Sequence, residues 1–84
     1  MKTVVENSTK SSKYIFDDNK VVTLEDTRIV VGKDPVELYV GDLNKGNSTL
    51  YEKVTNTPSD WVGCKYLFDG TTWSKDSNWV DPED

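Results

Sequence analysis

Asp60-Trp61-Val62-Gly63-Cys64-Lys65-Tyr66-Leu67-Phe68-Asp69-Gly70-Thr71-Thr72-Trp73 is the stretch whose reading decides the fold. Apolar and aromatic runs flank Asp69-Gly70, and an Asp-Gly pair suits a type I′ turn, which needs positive φ at both central residues. The segment therefore reads as a β-hairpin. With a two-residue turn, Phe68 lies opposite Thr71, Leu67 opposite Thr72 and Tyr66 opposite Trp73. Side chains alternate across a strand, so Tyr66, Phe68 and Trp73 share one face. An aromatic cross-strand pair contributes roughly 0.2–1 kcal/mol beyond an alanine pair, a useful amount in a small domain. The same part of the chain carries all three tryptophans, Trp61, Trp73 and Trp79.

Working outward, period-two alternation recurs and no stretch repeats with helical spacing. Lys13-Tyr14-Ile15-Phe16 runs into the polar Asp17-Asp18-Asn19-Lys20 and re-emerges as Val21-Val22-Thr23-Leu24, which reads as a first hairpin. With Asp18-Asn19 as its turn, Phe16 faces Val21 and Ile15 faces Val22, leaving both faces apolar near the tip. Thr27 to Val31 reads as a third strand, and Gly32-Lys33-Asp34-Pro35 as a turn. Val36 to Val40 alternates cleanly, with Val36, Leu38 and Val40 on an expected core face and Glu37 and Tyr39 on a wet one. Gly41 to Asn47 is turn-rich. Ser48 to Thr55 is an impure amphipathic strand suited to a sheet edge, and Asn56 to Asp60 forms a corner before the terminal hairpin.

The expected fold is all-β, a small barrel or a two-sheet sandwich of about six or seven short antiparallel strands. It occupies a single domain, residues 1–84, with a polar N-terminal lead (1–12) and an acidic C-terminal tail (81–84) that should fray.

A chain of 84 residues buries a modest core, and small folds often add a disulfide, a metal or an oligomeric partner. Cys64 is the only cysteine and there is no histidine, so neither an intrachain disulfide nor a soft-ligand metal site is expected, and no cofactor is implied. Association with further copies or with a larger protein assembly is the remaining supplement. The net charge of −5 and the single arginine, Arg28, argue against nucleic acid, whose affinity rests on basic residues that neutralise phosphates. The amino-terminal stretch lacks the apolar run of a signal peptide and nothing approaches membrane-spanning length. The expectation is cytoplasmic synthesis with no membrane partner.

No motif specifies a reaction. The acids fall mainly in turns, at Asp17, Asp18, Asp42, Asp60, Asp69 and Asp76, where carboxylates cap backbone amides, and the chain is read as a non-enzyme. Asp42-Leu43-Asn44-Lys45-Gly46 begins like a calcium loop but departs from the pattern at the fifth, sixth and twelfth positions. Cys64 is expected in a strand, buried as a small hydrophobe beside Tyr66 and Phe68. The candidate binding or interface residues are Trp79, Trp61, Trp73 and Tyr66, since aromatic side chains supply large contact area at little rotamer cost. Trp73 and Tyr66 read first as core, and Trp79, just ahead of the acidic tail, as a surface anchor.

The Asp60 to Trp73 stretch resembles segments of small β-rich proteins of tailed bacteriophages, in which a Gly, an aromatic strand, Asp-Gly and a Trp close a short chain. The Tyr14-Ile15-Phe16 to Gly32 region is similar in kind. The resemblance implies a structural or accessory protein of a virion, working by assembly and carrying no catalytic residues. Two other readings stand beside it. One is a small module whose Trp and Tyr platform binds a glycan or peptide, and the other is an acidic regulator or inhibitor of a basic partner.

Overall fold

A computed structural model describes residues 1–80, and the expected fraying of the 81–84 tail lies outside the described residues. Among the described residues eight strands follow one another: β1 (Lys2–Glu6), β2 (Ser12–Phe16), β3 (Val22–Leu24), β4 (Ile29–Gly32), β5 (Val36–Val40), β6 (Ser48–Tyr51), β7 (Tyr66–Phe68) and β8 (Trp73–Lys75). They form two three-stranded sheets, β2-β1-β6 and β3-β4-β5, and the two-stranded hairpin β7-β8, with every pairing antiparallel. The fold is all-β, as its alternating pattern and turn chemistry require.

β1 is the centre of the molecule, which corrects the reading of residues 1–12 as a polar lead. It pairs with β2 on one side and β6 on the other, placing Val4 between Tyr14 and Leu50. Val4 enters the larger core with Val22, Ile29, Val31, Val40 and Leu43, against which Tyr14, Phe16, Leu24 and Leu50 pack. Val5 points the opposite way, into a second core with Val54 and Phe68, flanked by Tyr51 and Trp73. The β2-β1-β6 sheet is therefore a middle layer. One face meets β3-β4-β5 and the other meets the terminal hairpin. Both faces of β1 are covered, so Thr3, Val4 and Val5 are buried in succession at 0%, 0% and 1% exposure. Two valines among Lys2, Thr3 and Glu6 make a weak apolar signal. Thr3 is tolerated inside because its Oγ1 donates to the Tyr14 carbonyl at 2.9 Å and lies 2.6 Å from Ser12 Oγ.

The first expected hairpin is also corrected. β2 and β3 do not pair: β2 joins β1, and β3 joins β4 through Val22 opposite Val31 and Leu24 opposite Ile29. The turn itself forms, with Lys20 N–H donating to the Asp17 carbonyl at 3.0 Å. It is tied across to the middle sheet and not folded back on itself. Lys2 Nζ donates to the Lys20 carbonyl at 2.7 Å, and Lys53 N–H to Asp18 Oδ1 at 3.1 Å. A hairpin apolar on both faces has no way to present one face to water. The chain instead steps from one sheet to the next, and Tyr14, Phe16, Val22 and Leu24 reach the same core from its two walls.

The terminal hairpin pairs as Phe68 with Trp73, Leu67 with Ser74 and Tyr66 with Lys75, two residues away from the register of a two-residue turn. Asp69 is the cause. Its Oδ1 accepts from the N–H groups of Thr71 and Thr72 at 2.9 and 2.7 Å, closing a longer loop over Asp69 to Thr72. A slip of two leaves every side chain on its original face, so Tyr66, Phe68 and Trp73 still lie together.

Candidate interaction surfaces

Two surfaces carry the residues of interest, the outside of the aromatic hairpin and the outer edge of the β3-β4-β5 sheet. On the hairpin, Phe68 and Trp73 stack with ring centroids 4.3 Å apart, while Tyr51 meets Phe68 edge-on at 5.2 Å and Tyr66 meets Trp73 edge-on at 6.3 Å. Trp73 is half-buried, and its Nε1–H donates to Asn56 Oδ1 at 3.2 Å. Trp61 is half-buried as well and directs its Nε1–H inward to Ser12 Oγ at 2.9 Å. Both indoles are engaged in holding the hairpin to the body.

Tyr66 and Trp79 belong to a small polar and aromatic group around Lys65. Tyr66 Oη donates to Asp60 Oδ1 at 2.6 Å, and Lys65 Nζ donates to Asp60 Oδ2 at 2.9 Å. The Tyr66 hydrogen bond, with the Lys65 hydrogen bond second, holds the Asp60 carboxyl down at about 2, and the same bond to Asp60 pushes the Tyr66 phenol up. Lys65 Nζ also lies 5.7 Å from the Tyr66 ring centre and 5.1 Å from that of Trp79. Trp79 is half-buried, with its backbone N–H on the Asp76 carbonyl at 3.1 Å.

Cys64 departs from its expected place. It is exposed, in a turn closed by Lys65 N–H on the Val62 carbonyl at 3.0 Å, and it adopts φ 72°. The left-handed backbone ends the approach to the hairpin before β7 begins at Tyr66, so the thiol projects outward instead of joining the row of Tyr66 and Phe68. Lys13 Nζ lies 3.5 Å from its sulfur.

On the other sheet, β5 occupies the outer position beside β4, and four of its five residues are exposed. Val36, Leu38 and Tyr39 are 39%, 42% and 54% exposed, and only Val40 is buried. This corrects the expectation that Val36 and Leu38 are core. Leu38 does lie on the core-facing side, directly opposite the buried Val31, but a β-bulge at Glu37 breaks the alternation and sets Val36 opposite Gly32, and of β5 only Val40 joins the buried core. On the other side of the sheet, the Arg28 guanidinium rests over the Tyr39 ring at 4.3 Å and Arg28 Nε donates to Glu25 at 2.8 Å. Lys20 Nζ pairs with Glu37 at 2.6 Å.

The sequence reading placed Tyr39 on the wet face but did not single out Val36 and Leu38 as surface. A signal was present in Pro35, which directly precedes β5. Proline has no N–H for a ladder and is confined to strand starts and outer strands.

Among the described residues, no three His, Cys, Asp or Glu side chains converge as metal ligands. Asp69 and Asp76 hold local backbone N–H groups. A hollow of about 360 Å³ lies between Tyr51, Val54, Asn56, Phe68 and Thr71, and a smaller one of about 190 Å³ between Lys20, Val21, Pro35 and Glu37. No protein-family model matches the chain, and neither a curated protein nor a solved structure matches it.

Proposed function

We propose that this chain is a non-enzymatic assembly protein that works by associating with itself or within a larger protein particle. The observation that carries the reading is the outer strand β5, which leaves Val36, Leu38 and Tyr39 beside an open edge. An unpaired strand presents N–H and C=O groups ready to pair with another strand, and apolar side chains along it gain by being covered. A second observation points the same way. The core is divided into two small clusters, and a fold of this size gains stability from any surface it buries in a partner. Native mass spectrometry over a rising concentration series tests the reading: oligomers that grow with concentration support it, and a strict monomer at high micromolar concentration overturns it.

A place in a tailed-phage particle is part of the same proposal and draws on the resemblance of the Asp60 to Trp73 hairpin. Detection of the chain in purified particles by peptide mass spectrometry supports that placement, and its absence from them removes it.

A further inference from the structure

We infer that Asp69-Gly70 is a self-modification site, whose conversion to isoaspartate the closed hairpin loop holds in check and loop opening releases. The reaction needs only the chain and water. The Gly70 backbone nitrogen attacks Asp69 Cγ, a bond forms between them, and the carboxyl hydroxyl leaves with the amide proton as water, closing a succinimide ring. Water then adds to the ring. Cleavage of the bond between the Gly70 nitrogen and the Asp69 main-chain carbonyl carbon leaves the chain running through Cβ and Cγ, and that carbonyl carbon becomes the free carboxyl. The water lost is regained, so the mass is unchanged.

The folded loop supplies the nucleophile and withholds the electrophile. Gly70 brings no Cβ beside the attacking nitrogen, its N–H has no acceptor among the described residues, and Asp69, Gly70, Thr71 and Thr72 are all exposed to water. The carboxyl is held back. Asp69 Oδ1 accepts from the N–H of Thr72 at 2.7 Å and of Thr71 at 2.9 Å, and these bonds, Thr72's first, keep the carboxyl below its ordinary value. A carboxylate is a poor electrophile and must take up a proton before its oxygen departs as water.

A residue distant in sequence shares the guard. Asn56 Nδ2 donates to the Thr71 carbonyl at 3.0 Å while Asn56 Oδ1 accepts from Trp73 Nε1–H at 3.2 Å, so both sides of the loop's exit are tied to the segment after β6. Reactivity therefore follows docking of the hairpin and not the dipeptide alone. The product cannot rebuild the loop. Its backbone is one carbon longer at residue 69 and its carboxylate stands directly on Cα, so the side-chain oxygen that met Thr71 and Thr72 is gone. The register that stacks Phe68 on Trp73 at 4.3 Å is lost with it.

The test holds the full chain at mildly acidic pH, in buffer and in guanidinium chloride, and measures isoaspartate at residue 69 by peptide mass spectrometry. Conversion is expected to be slower by about tenfold or more in the folded chain, as for any step gated by local opening. Asn56→Ala leaves the Asp-Gly pair intact. With its fold verified by circular dichroism, it is expected to convert faster than wild type in buffer and equally fast in denaturant. Gly70→Ala is expected to slow the reaction in denaturant, where only crowding of the nitrogen matters. Equal wild-type rates in the two solutions overturn the guard, and equal rates for wild type and Asn56→Ala in buffer overturn the part given to Asn56. Absence of isoaspartate at residue 69 in denaturant overturns the site itself. After removal of denaturant, the modified chain is expected to lack the native near-ultraviolet signal of its tryptophans, and a native spectrum overturns the loss of register.

Discussion

The indole Nε1–H of Trp61 donates to Ser12 Oγ at 2.9 Å, joining positions 49 residues apart in the chain. Ser12 is fully buried beside Thr3 at 2.6 Å, and Thr3 Oγ1 also lies 2.9 Å from the Tyr14 carbonyl. A carbonyl only accepts, so the Thr3 hydroxyl proton goes to Tyr14 and the Ser12 proton to Thr3. Trp61 then donates to a lone pair of the Ser12 hydroxyl oxygen. This directional chain pins the segment before the last hairpin onto the two strands of the middle sheet. Ser12→Ala removes the link, taking one hydrogen bond from the part-buried Trp61 N–H and one from the buried Thr3 hydroxyl. A loss of about 1–3 kcal/mol is expected in urea denaturation, because two hydrogen bonds worth roughly 0.5–1.5 kcal/mol each are removed.

The position of β1 between two cores gives a second prediction. Val4→Ala and Val5→Ala each remove a buried side chain from a different core. Each is expected to cost about 1–3 kcal/mol from lost apolar burial and incomplete collapse. Val80→Ala, at a residue 76% exposed, is expected to change stability by less than about 0.5 kcal/mol. Thermal melts of the three variants check the contrast, and a neutral Val4→Ala would contradict a buried β1.

Gly32 closes β4 with φ 92°, and a Cβ there would meet Glu37 N at 2.9 Å and the Pro35 carbonyl oxygen at 3.0 Å. Neither backbone atom can give way without moving the β4–β5 turn. Gly32→Ala is expected to destabilise by about 1–3 kcal/mol, from left-handed strain together with the clash. Gly41, just past the other end of β5, has open space where its Cβ would stand. Gly41→Ala is expected within about 0.5 kcal/mol of wild type. Circular dichroism melts of the pair separate strain from simple loss of glycine.

Acid sensitivity follows from Asp60. Its carboxyl is held down from 3.8 to about 2 by the Tyr66 and Lys65 hydrogen bonds. The folded value lies below the unfolded one, so this stabilisation is fully present above about pH 4 and is lost as pH falls toward the folded value. Melting temperature measured from pH 5 downward is expected to fall less steeply in Asp60→Asn than in wild type. Tyr66→Phe removes the larger of the two causes, and the Asp60 carboxyl then titrates closer to its ordinary range by NMR. Identical pH slopes in wild type and Asp60→Asn would remove the group from the account.

Much of the strand pattern was legible because turn residues mark where strands begin and end. β5 spans Val36–Val40 as alternation between Pro35 and Gly41 foretells, and β6 is an outer strand as its impure faces suggest. β1 was not legible because Thr3 is buried through hydrogen bonds to Ser12 and the Tyr14 carbonyl, partners that only the folded sheet supplies. The terminal register was decided by the Asp69 side chain accepting from Thr71 and Thr72, which outweighs the turn preference of Asp-Gly. The aromatic grouping survived that error because the slip is even. The candidate site was legible only in part. Sequence directed attention to Trp61 and Trp73, whose N–H groups are bonded within the fold, while exposure of Leu38 depends on which sheet stops short of β5.

Sedimentation equilibrium of the wild-type chain beside Leu38→Lys tests assembly through β5 most directly. Leu38 is 42% exposed, so the lysine reaches water in the monomer and should leave its melting temperature unchanged. In a covered edge it places an ammonium group within the apolar contact. The account predicts a concentration-dependent dimer for wild type and a monomer for Leu38→Lys over the same range. A wild-type monomer throughout, or equal association of the two proteins, would contradict it.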